Sequence, residues 1–453
     1  MNPPATIQHS RIIDIVGAPN VITSPKDLAA YAVDAISPQI VARPANAQEV
    51  SELVKFAAVE NLAVISTGAR TKLSIGMPPA RYDLTIDVAR LDRVISYDPG
   101  DLTLSVDPGI PLTRLAEVLA AHNQFLPLAV PFFDRATVGG TLASGVDSPL
   151  RQAYGTARDF VLGMEFVSGE GALTKSGGRV VKNVSGYDLY KLMLGSIGSL
   201  GVITRINFKT FPMPSARRGF VASFNSLEAA LDLRNRITTS AISLATLEIV
   251  NSEMAALLFP DAADRFPAWQ LFAGISGSTA VLDRCNNDLG SMAGACNAKD
   301  VSLPSGAEYD TLWSNLREAI PLAAKSRPAS LVLKLSAVPT DVLRVVQLLE
   351  FQSESHKVPA AILIRGTGVI HWAIGLQSAA DLDQVKGICQ AVLSPDAGGK
   401  HDFRAIAVVC PLELKRQLSI WGSPREDFLL MQRVKGAFDP HNIFAPGRFV
   451  GGL

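Results

Sequence analysis

The 453-residue sequence has little of several features that commonly announce a function. It carries no charge excess: 42 basic and 42 acidic side chains cancel, and no block of five like charges occurs. Nucleic acid, which rewards clustered Lys and Arg, is therefore not an expected partner. The four cysteines, Cys285, Cys296, Cys389 and Cys410, are widely spaced and include no C-x-x-C pair. That spacing signals no disulfide framework, structural zinc site or iron–sulfur ligand set, and they read as buried thiols. Of the six histidines, His9, His122, His356, His401 and His441 are scattered without metal-ligand spacing, so no metal is expected. No run reaches ~18 apolar residues, and the opening MNPPATIQHSRIIDIVG has no basic start followed by an apolar stretch. Neither an integral membrane segment nor a secretory signal is expected; the chain reads as cytoplasmic, with peripheral attachment to the inner membrane through a partner left open. Two nucleotide fingerprints are missing as well. There is no G-x-x-x-x-G-K-[ST], and no G-x-G-x-x-G, since Gly169 and Gly171 are followed by Thr174 where the third glycine would fall. A Rossmann site or a P-loop is disfavoured.

What is present is a globular balance, 48% hydrophobic and 19% charged residues, in a chain long enough for two or three lobes. The first third reads as α+β. NAQEVSELVKFAAVENL places Val50, Leu53, Val54 and Ala57 at helical spacing behind a cap-like Asn46 and Glu49. AVIST is a short strand that delivers the polar loop GARTKLSIG, and DLTLSVDPG is a second strand before the helix PLTRLAEVLAAH. From Pro131 the chain turns rich in Gly, Ser, Thr and Pro over a stretch too long for an idle turn. FPMP (211–214) suits a boundary. Beyond it, GFVASF, NSLEAALDLRNRI, ISLATLEIV and QLFAGIS, then SLVLKLS, TDVLRVVQLLEF, AAILI and HWAIGL, alternate short strands and helices. That grammar suggests an α+β lobe of two ferredoxin-like halves side by side.

Three segments concentrate glycine: STGARTKLSIG (66–76), TVGGTLASG (137–145) and GGRVVKNVSGYDLYKLMLGSIGSLGVITR (177–205), the last with six glycines. Residues without Cβ let the backbone approach a ligand and aim N–H groups at the oxygens of a pyrophosphate. Each segment alone reads equally as a structural turn.

In the order TVGGTLASG, YGTARDFVLGMEFVSGEG, GGRVVKNVSGYDLYKLMLGSIGSLGVI, the sequence resembles the FAD-binding domain of the vanillyl-alcohol oxidase (PCMH) type. It is most similar to the FAD-binding subunits of bacterial glycolate oxidases. IVARPANAQEV, DPGDLTLSVDPGIPL and FDPHNIFAPGR (438–448) follow the family's order too. The resemblance implies α+β architecture: a two-subdomain PCMH-type FAD-binding domain (1–214), an α+β, ferredoxin-like cap (215–425) and a C-terminal segment returning to the first domain (426–453). It implies that Gly68, Ala69, Arg70 and Thr71 present backbone amides to the pyrophosphate of FAD. Thr137, Gly139, Gly140, Thr141 and Ser144 would follow the flavin and its ribityl chain, and Gly201, Val202 and Ile203 would supply backbone contacts, with KNVSGYD packed below the cofactor. No His or Cys occurs between residues 123 and 284 or in the 66–76 loop, so the FAD is expected to be non-covalent.

The departures bear on chemistry. Where competent 2-hydroxyacid dehydrogenases of the family read G-S-E-G-T-L-G, this chain has GSIGSLG, with Ile197 in the acidic position. Their histidine-rich cap motif has its nearest analogue in RGTGVIHWAIG (365–375), with one histidine. Oxidising a 2-hydroxy acid needs a cation for the carboxylate, a base for the hydroxyl and a hydride acceptor. Arg365 and His371 are the candidate catalytic pair, although His371 reads more readily as a packing or surface histidine. Arg151 is a second candidate anion binder or a loop-fixing donor, Lys182 and Asp188 a candidate salt link, and Arg70 either meets a phosphate or points outward. The leading expectation is an FAD-binding subunit that passes electrons from a small 2-hydroxy acid to its partners, a catalytic flavoprotein subunit and an iron–sulfur subunit. A self-sufficient FAD-dependent 2-hydroxyacid oxidase or dehydrogenase, and a structural subunit with a vestigial flavin site, stand beside it.

Overall fold

The computed structural model describes residues 7–179, 186–261, 266–327, 329–376, 382–393 and 403–453. Near the N-terminus, the strands Ile40–Ala42, Leu84–Asp87 and Val64–Thr67 run parallel, with Val21–Ile22 added antiparallel at the edge. The helix Ala47–Val59 is the crossover between the first and last of these parallel strands. Asn46 caps it, accepting from Glu49 N at 2.9 Å, while the Glu49 carboxylate accepts from Ala45 N and the Asn46 amide at 2.7 and 2.8 Å. Its face Val50, Leu53, Val54 and Ala57 is buried, as the periodicity anticipates. A second, antiparallel sheet follows in the order Val94–Asp98, Thr103–Val106, Val202–Lys209, Val161–Val167, Leu173–Gly177.

The chain's end returns to this region. Ile443 and Phe444 are buried among Val50, Leu53, Val64 and Leu84, and Phe444 bridges Val64. The buried Lys435 ammonium fastens the return, donating to Asp439 Oδ2 at 2.6 Å and to the carbonyls of Ser199 and Phe444, both at 2.8 Å.

Residues 216–409 build one eight-stranded antiparallel sheet. The run Ala216–Phe224, helix Leu227–Thr238, Thr246–Asn251, Trp269–Gly277, helix Thr279–Ala295, Asp300–Ser302 is a βαββαβ unit with strands in the order 4-1-3-2. Ala329–Ala337, helix Val342–Ser355, Ala360–Arg365, Val369–Leu376, helix Leu382–Leu393 and Phe403–Val409 repeat it as 2-3-1-4. Both halves are ferredoxin-like. They meet through their second strands, Thr246–Asn251 against Ala360–Arg365, so the two units face each other head on and form one sheet. These four helices cover one face over Phe220, Leu271, Leu333 and Trp372; the short helices Ser252–Leu258 and Ala319–Lys325, with Gly306–Arg317, cover part of the other over Val250, Leu363 and Ala373.

Strand parity then matters for the site. Glu248 pairs with Arg365, and His371 pairs with both Leu363 and Lys334. Directly opposed residues share a face, as do residues two apart on a strand. Glu248, Arg365, His371 and Lys334 therefore project from the same face, beyond the part covered by the short helices and toward the glycine-rich lobe.

Candidate active site

A groove runs across the first lobe between the loop after Val64–Thr67, the helix Val138–Ser144, and residues 196–203. It is lined by Gly68, Ala69, Arg70 and Thr71, by Thr137, Gly139, Gly140 and Ser144, and by Gly201, Val202 and Ile203. Two glycines are required by space. A Cβ on Gly139 would lie 2.6 Å from Pro108 Cβ and 3.0 Å from Pro108 O, and one on Gly201 would lie 2.7 Å from Val167 O. The backbone can thus press against its own scaffold while its other side faces the groove.

Thr141, grouped with these residues in the sequence, does not line the groove. Helical rotation turns Gly140, Ala143 and Ser144 to the groove and Thr141, Leu142 and Gly145 to a separate cavity. Arg70 lines the groove but does not point freely outward. With φ +61° it folds back over the Tyr31 ring, 4.3 Å from its centroid, and lies 3.6 Å from the buried Asp87 carboxylate, which also accepts from the Tyr31 hydroxyl at 2.7 Å. Burial and Asp87 push the Tyr31 phenol up to about 12. Asp188 pairs with Lys191 at 2.6 Å; Lys182, His401 and residues 182–185 of KNVSGYD lie outside the described residues. Ile197 lines the groove with φ +48°, a left-handed conformation costly for a β-branched residue.

Arg448 escaped the sequence reading although its motif, FAPGR, was on view. The residue, 2% exposed, lines the groove, and its guanidinium donates to the carbonyls of Leu73 and Ile75, the latter at 2.6 Å, pinning the loop. Burial draws it down to about 10. Lys72, which reaches Pro131 O and Thr71 Oγ1 at 3.3 Å, is drawn down to about 8 by burial, against the opposing pull of Glu318. A narrow, glycine-walled channel with an arginine buried in its wall fits a phosphate-bearing dinucleotide such as FAD.

Where the lobes meet, Arg365 is held by two carboxylates: its Nε lies 2.6 Å from Asp147 Oδ2 and an Nη donates to Glu248 Oε1 at 2.7 Å. Burial opposes the Asp147 charge, yet Arg365, Lys334, His371 and Arg151 together hold its carboxyl at about 2. Glu248 is pushed up to about 7 by burial, with Arg365 working against that rise. His371 is 3% exposed and its Nδ1 has no hydrogen-bond partner among the described residues; burial and the neighbouring Arg365 bring it down to about 3. Arg151 reaches the other Asp147 oxygen at 3.5 Å. Asp147 and Glu248 carried no motif, and only the fold brings them to Arg365.

A lobe carrying a dinucleotide groove, with a ferredoxin-like cap beside it, defines a flavoprotein of the FAD-linked oxidase class, and comparison with known proteins supports this. A model described as FAD binding domain matches residues 38–177, and one described as the C-terminal domain of FAD linked oxidases matches 213–393 and 422–449. Glycolate oxidase subunit GlcE of Escherichia coli is 37% identical over 416 residues, covering 90% of this chain and 98% of that protein. D-2-hydroxyglutarate dehydrogenase of Xanthomonas citri is 26% identical over 94% of this chain and 93% of its own length. Among solved structures, 4-ethylphenol oxidase from Gulosibacter chungangensis superposes with a TM-score of 0.75 at 16% identity, covering 97% of this chain and 95% of that one. The chain belongs to the FAD-linked oxidases with a PCMH-type FAD-binding domain, within the vanillyl-alcohol oxidase superfamily, and FAD is its cofactor.

Proposed function

We propose that this FAD-linked oxidoreductase is the FAD-binding subunit of a glycolate-oxidase-like 2-hydroxyacid dehydrogenase complex, working with a catalytic flavoprotein subunit and an iron–sulfur subunit. The observation that carries the reading is the state of its candidate catalytic pair beside a well-formed cofactor groove. Arg365 is buried, with its Nε already against Asp147 and an Nη on Glu248. His371, at about 3, is neutral but too weak a base to draw a proton from an alcohol near neutral pH. Likeness to GlcE over nearly the whole chain supports the subunit assignment.

In this reading FAD is held non-covalently, since no His or Cys lines the groove, and supplies electron acceptance and transfer. The loop 68–75, pinned by Arg448, holds the phosphates, while Gly139, Gly140 and Ser144 form the opposite wall. The chain works in the cytoplasm; among the described residues no helix is long and apolar enough to cross a membrane.

The test is the visible spectrum of the isolated chain, taken anaerobically before and after glycolate or D-lactate. A flavin spectrum that stays unreduced, and that bleaches when the co-purified partners are restored, is the expected result. Bleaching of the isolated chain would instead make it a self-sufficient dehydrogenase, with Arg365 and His371 released from their present partners. A chain that takes up no FAD would leave only the structural role.

A further inference from the structure

A cleft of about 190 Å³ opens between the lobes where the strand Ala216–Phe224 enters the cap, and it shares no lining residue with the FAD groove. Its walls are aromatic. The FAD lobe contributes Phe125, Phe133 and Tyr154, with Phe125 and Tyr154 meeting edge to face at 5.4 Å between centroids. The cap contributes Tyr309 and Trp313, one turn apart on the helix Gly306–Arg317, with ring planes 1° from parallel. Arg317 at the end of that helix is already engaged: its guanidinium lies 4.9 Å over the Phe133 ring and donates to Glu318 and to Ser314 Oγ.

Three donors in these walls are not engaged. The Arg217 guanidinium and the hydroxyls of Tyr154 and Tyr309 have no hydrogen-bond partner among the described residues. Arg217 pairs with Ser276 across the strands Ala216–Phe224 and Trp269–Gly277, so both project from one sheet face, and both line the cleft. Tyr309 is 7% exposed, and the cleft is where its hydroxyl can find an acceptor. Burial raises the phenols of Tyr154 and Tyr309 and the Arg217 charge pulls both back, so the three groups lie within one another's field. Among the described lining residues the charged ones are Arg217 and Arg317, both basic. A cation flanked by two phenol donors suits an anionic oxygen group, and flat aromatic walls suit a flat ring.

We propose that this cleft binds a planar aromatic anion, with Arg217 and the Tyr154 and Tyr309 hydroxyls at its charged end and the aromatic side chains against its ring. The volume lies below the ~300–1,000 Å³ of pockets for drug-sized ligands, which limits the occupant to a single ring with one anionic substituent. Tyr154 comes from one lobe and Arg217 and Tyr309 from the other, so the occupant ties the lobes together. The site is separate from the cofactor and does not depend on which subunit oxidises the hydroxy acid.

The experiment is a calorimetric titration of the full chain, with its flavin spectrum recorded, using benzoate and, for the same charge without the flat ring, cyclohexanecarboxylate. Saturable one-site binding of benzoate is expected, several-fold tighter than that of cyclohexanecarboxylate. It should weaken roughly 10-fold in Arg217→Met, as loss of a charge-assisted hydrogen bond requires, and several-fold in Tyr309→Phe, with the flavin spectrum unmoved. Arg217 is exposed, so its replacement leaves the fold intact, and melting temperatures of both variants check this. Absence of saturable binding, equal binding of the two acids, or benzoate binding unchanged in both Arg217→Met and Tyr309→Phe overturns the proposal. A flavin spectrum that shifts in step with benzoate binding would put the ligand at the cofactor and overturn it as well.

Discussion

Replacing Arg365 by methionine strands two carboxylates in the interior. Asp147 and Glu248 side chains are 5% and 1% exposed, and the guanidinium lies 2.6 and 2.7 Å from them. The cost can be worked group by group. Asp147 sits at about 2 against an ordinary 3.8. A carboxyl with a depressed folded value contributes stability that is fully present above its ordinary value and is lost as pH falls through the folded one. At ~1.4 kcal/mol per pH unit this is about 2.5 kcal/mol at neutral pH, and most of it goes with Arg365. Glu248 behaves differently: already raised to about 7, it rises further without the cation and takes up a proton at pH 7, which caps its penalty. Together with the lost hydrogen bond the total is ~3–5 kcal/mol, the range for removing one partner of a buried ion pair. Urea unfolding of wild type and Arg365→Met, followed by tryptophan fluorescence at pH 7.5 and 5.5, measures it. The variant should recover part of its deficit at the lower pH, because its raised carboxyls then bind protons in the folded state, and Glu248→Gln placed in the same background should recover part at both. An Arg365→Met protein within about 0.5 kcal/mol of wild type at pH 7.5 would refute the buried-triad reasoning, and Arg365 would then be free to bind substrate.

Three further outcomes follow from the geometry. Gly139→Ala forces a Cβ within 2.6 Å of Pro108, pushes the helix Val138–Ser144 off its seat at a cost of ~1–3 kcal/mol, and should lower FAD affinity by tenfold or more in a fluorescence titration; wild-type affinity would show that the helix does not wall the cofactor. Ile197→Asn relieves a β-branched residue at φ +48° and should stabilise the flavin-free chain by about 1 kcal/mol in thermal unfolding, a result that any clear loss of stability contradicts. His371 is about 3 when folded against an ordinary 6.5, so the unfolded chain binds its proton first and stability drains away as pH falls from about 6.5 to 3. His371→Leu removes that drain, worth up to ~5 kcal/mol, and should move the acid-unfolding midpoint to lower pH; an unchanged midpoint would mean that His371 is not buried neutral.

How legible these features were depends on how local they are. The helix Ala47–Val59 was readable because both its cap, Asn46 with Glu49, and its apolar period lie within a few residues of each other. The two ferredoxin-like halves were readable from the spacing of short strands and helices, but their head-on junction was not, since edge pairing of Thr246–Asn251 with Ala360–Arg365 leaves no local mark. The glycines of the groove announced close backbone approach. Thr141 sits in the same run of residues, and its departure from the groove depends on the turn of one short helix, visible only once that helix is placed.

The sequence by itself determined the class of this protein: balanced charge, no metal or disulfide pattern, and glycines at the places where a backbone must run beside a dinucleotide. These are chemical necessities of short stretches, and they survive in any arrangement of the rest. Tertiary structure alone decided which charges are spent and which are available. Arg365 looked like a substrate cation until Glu248, 117 positions away, and Asp147 of the other lobe were found against it, while Lys334, which carried no motif, was brought from the cap sheet to a cavity beside Asp147. The availability of an ion depends on burial and on neighbours within a few ångströms, and those neighbours are set by register and by the docking of lobes.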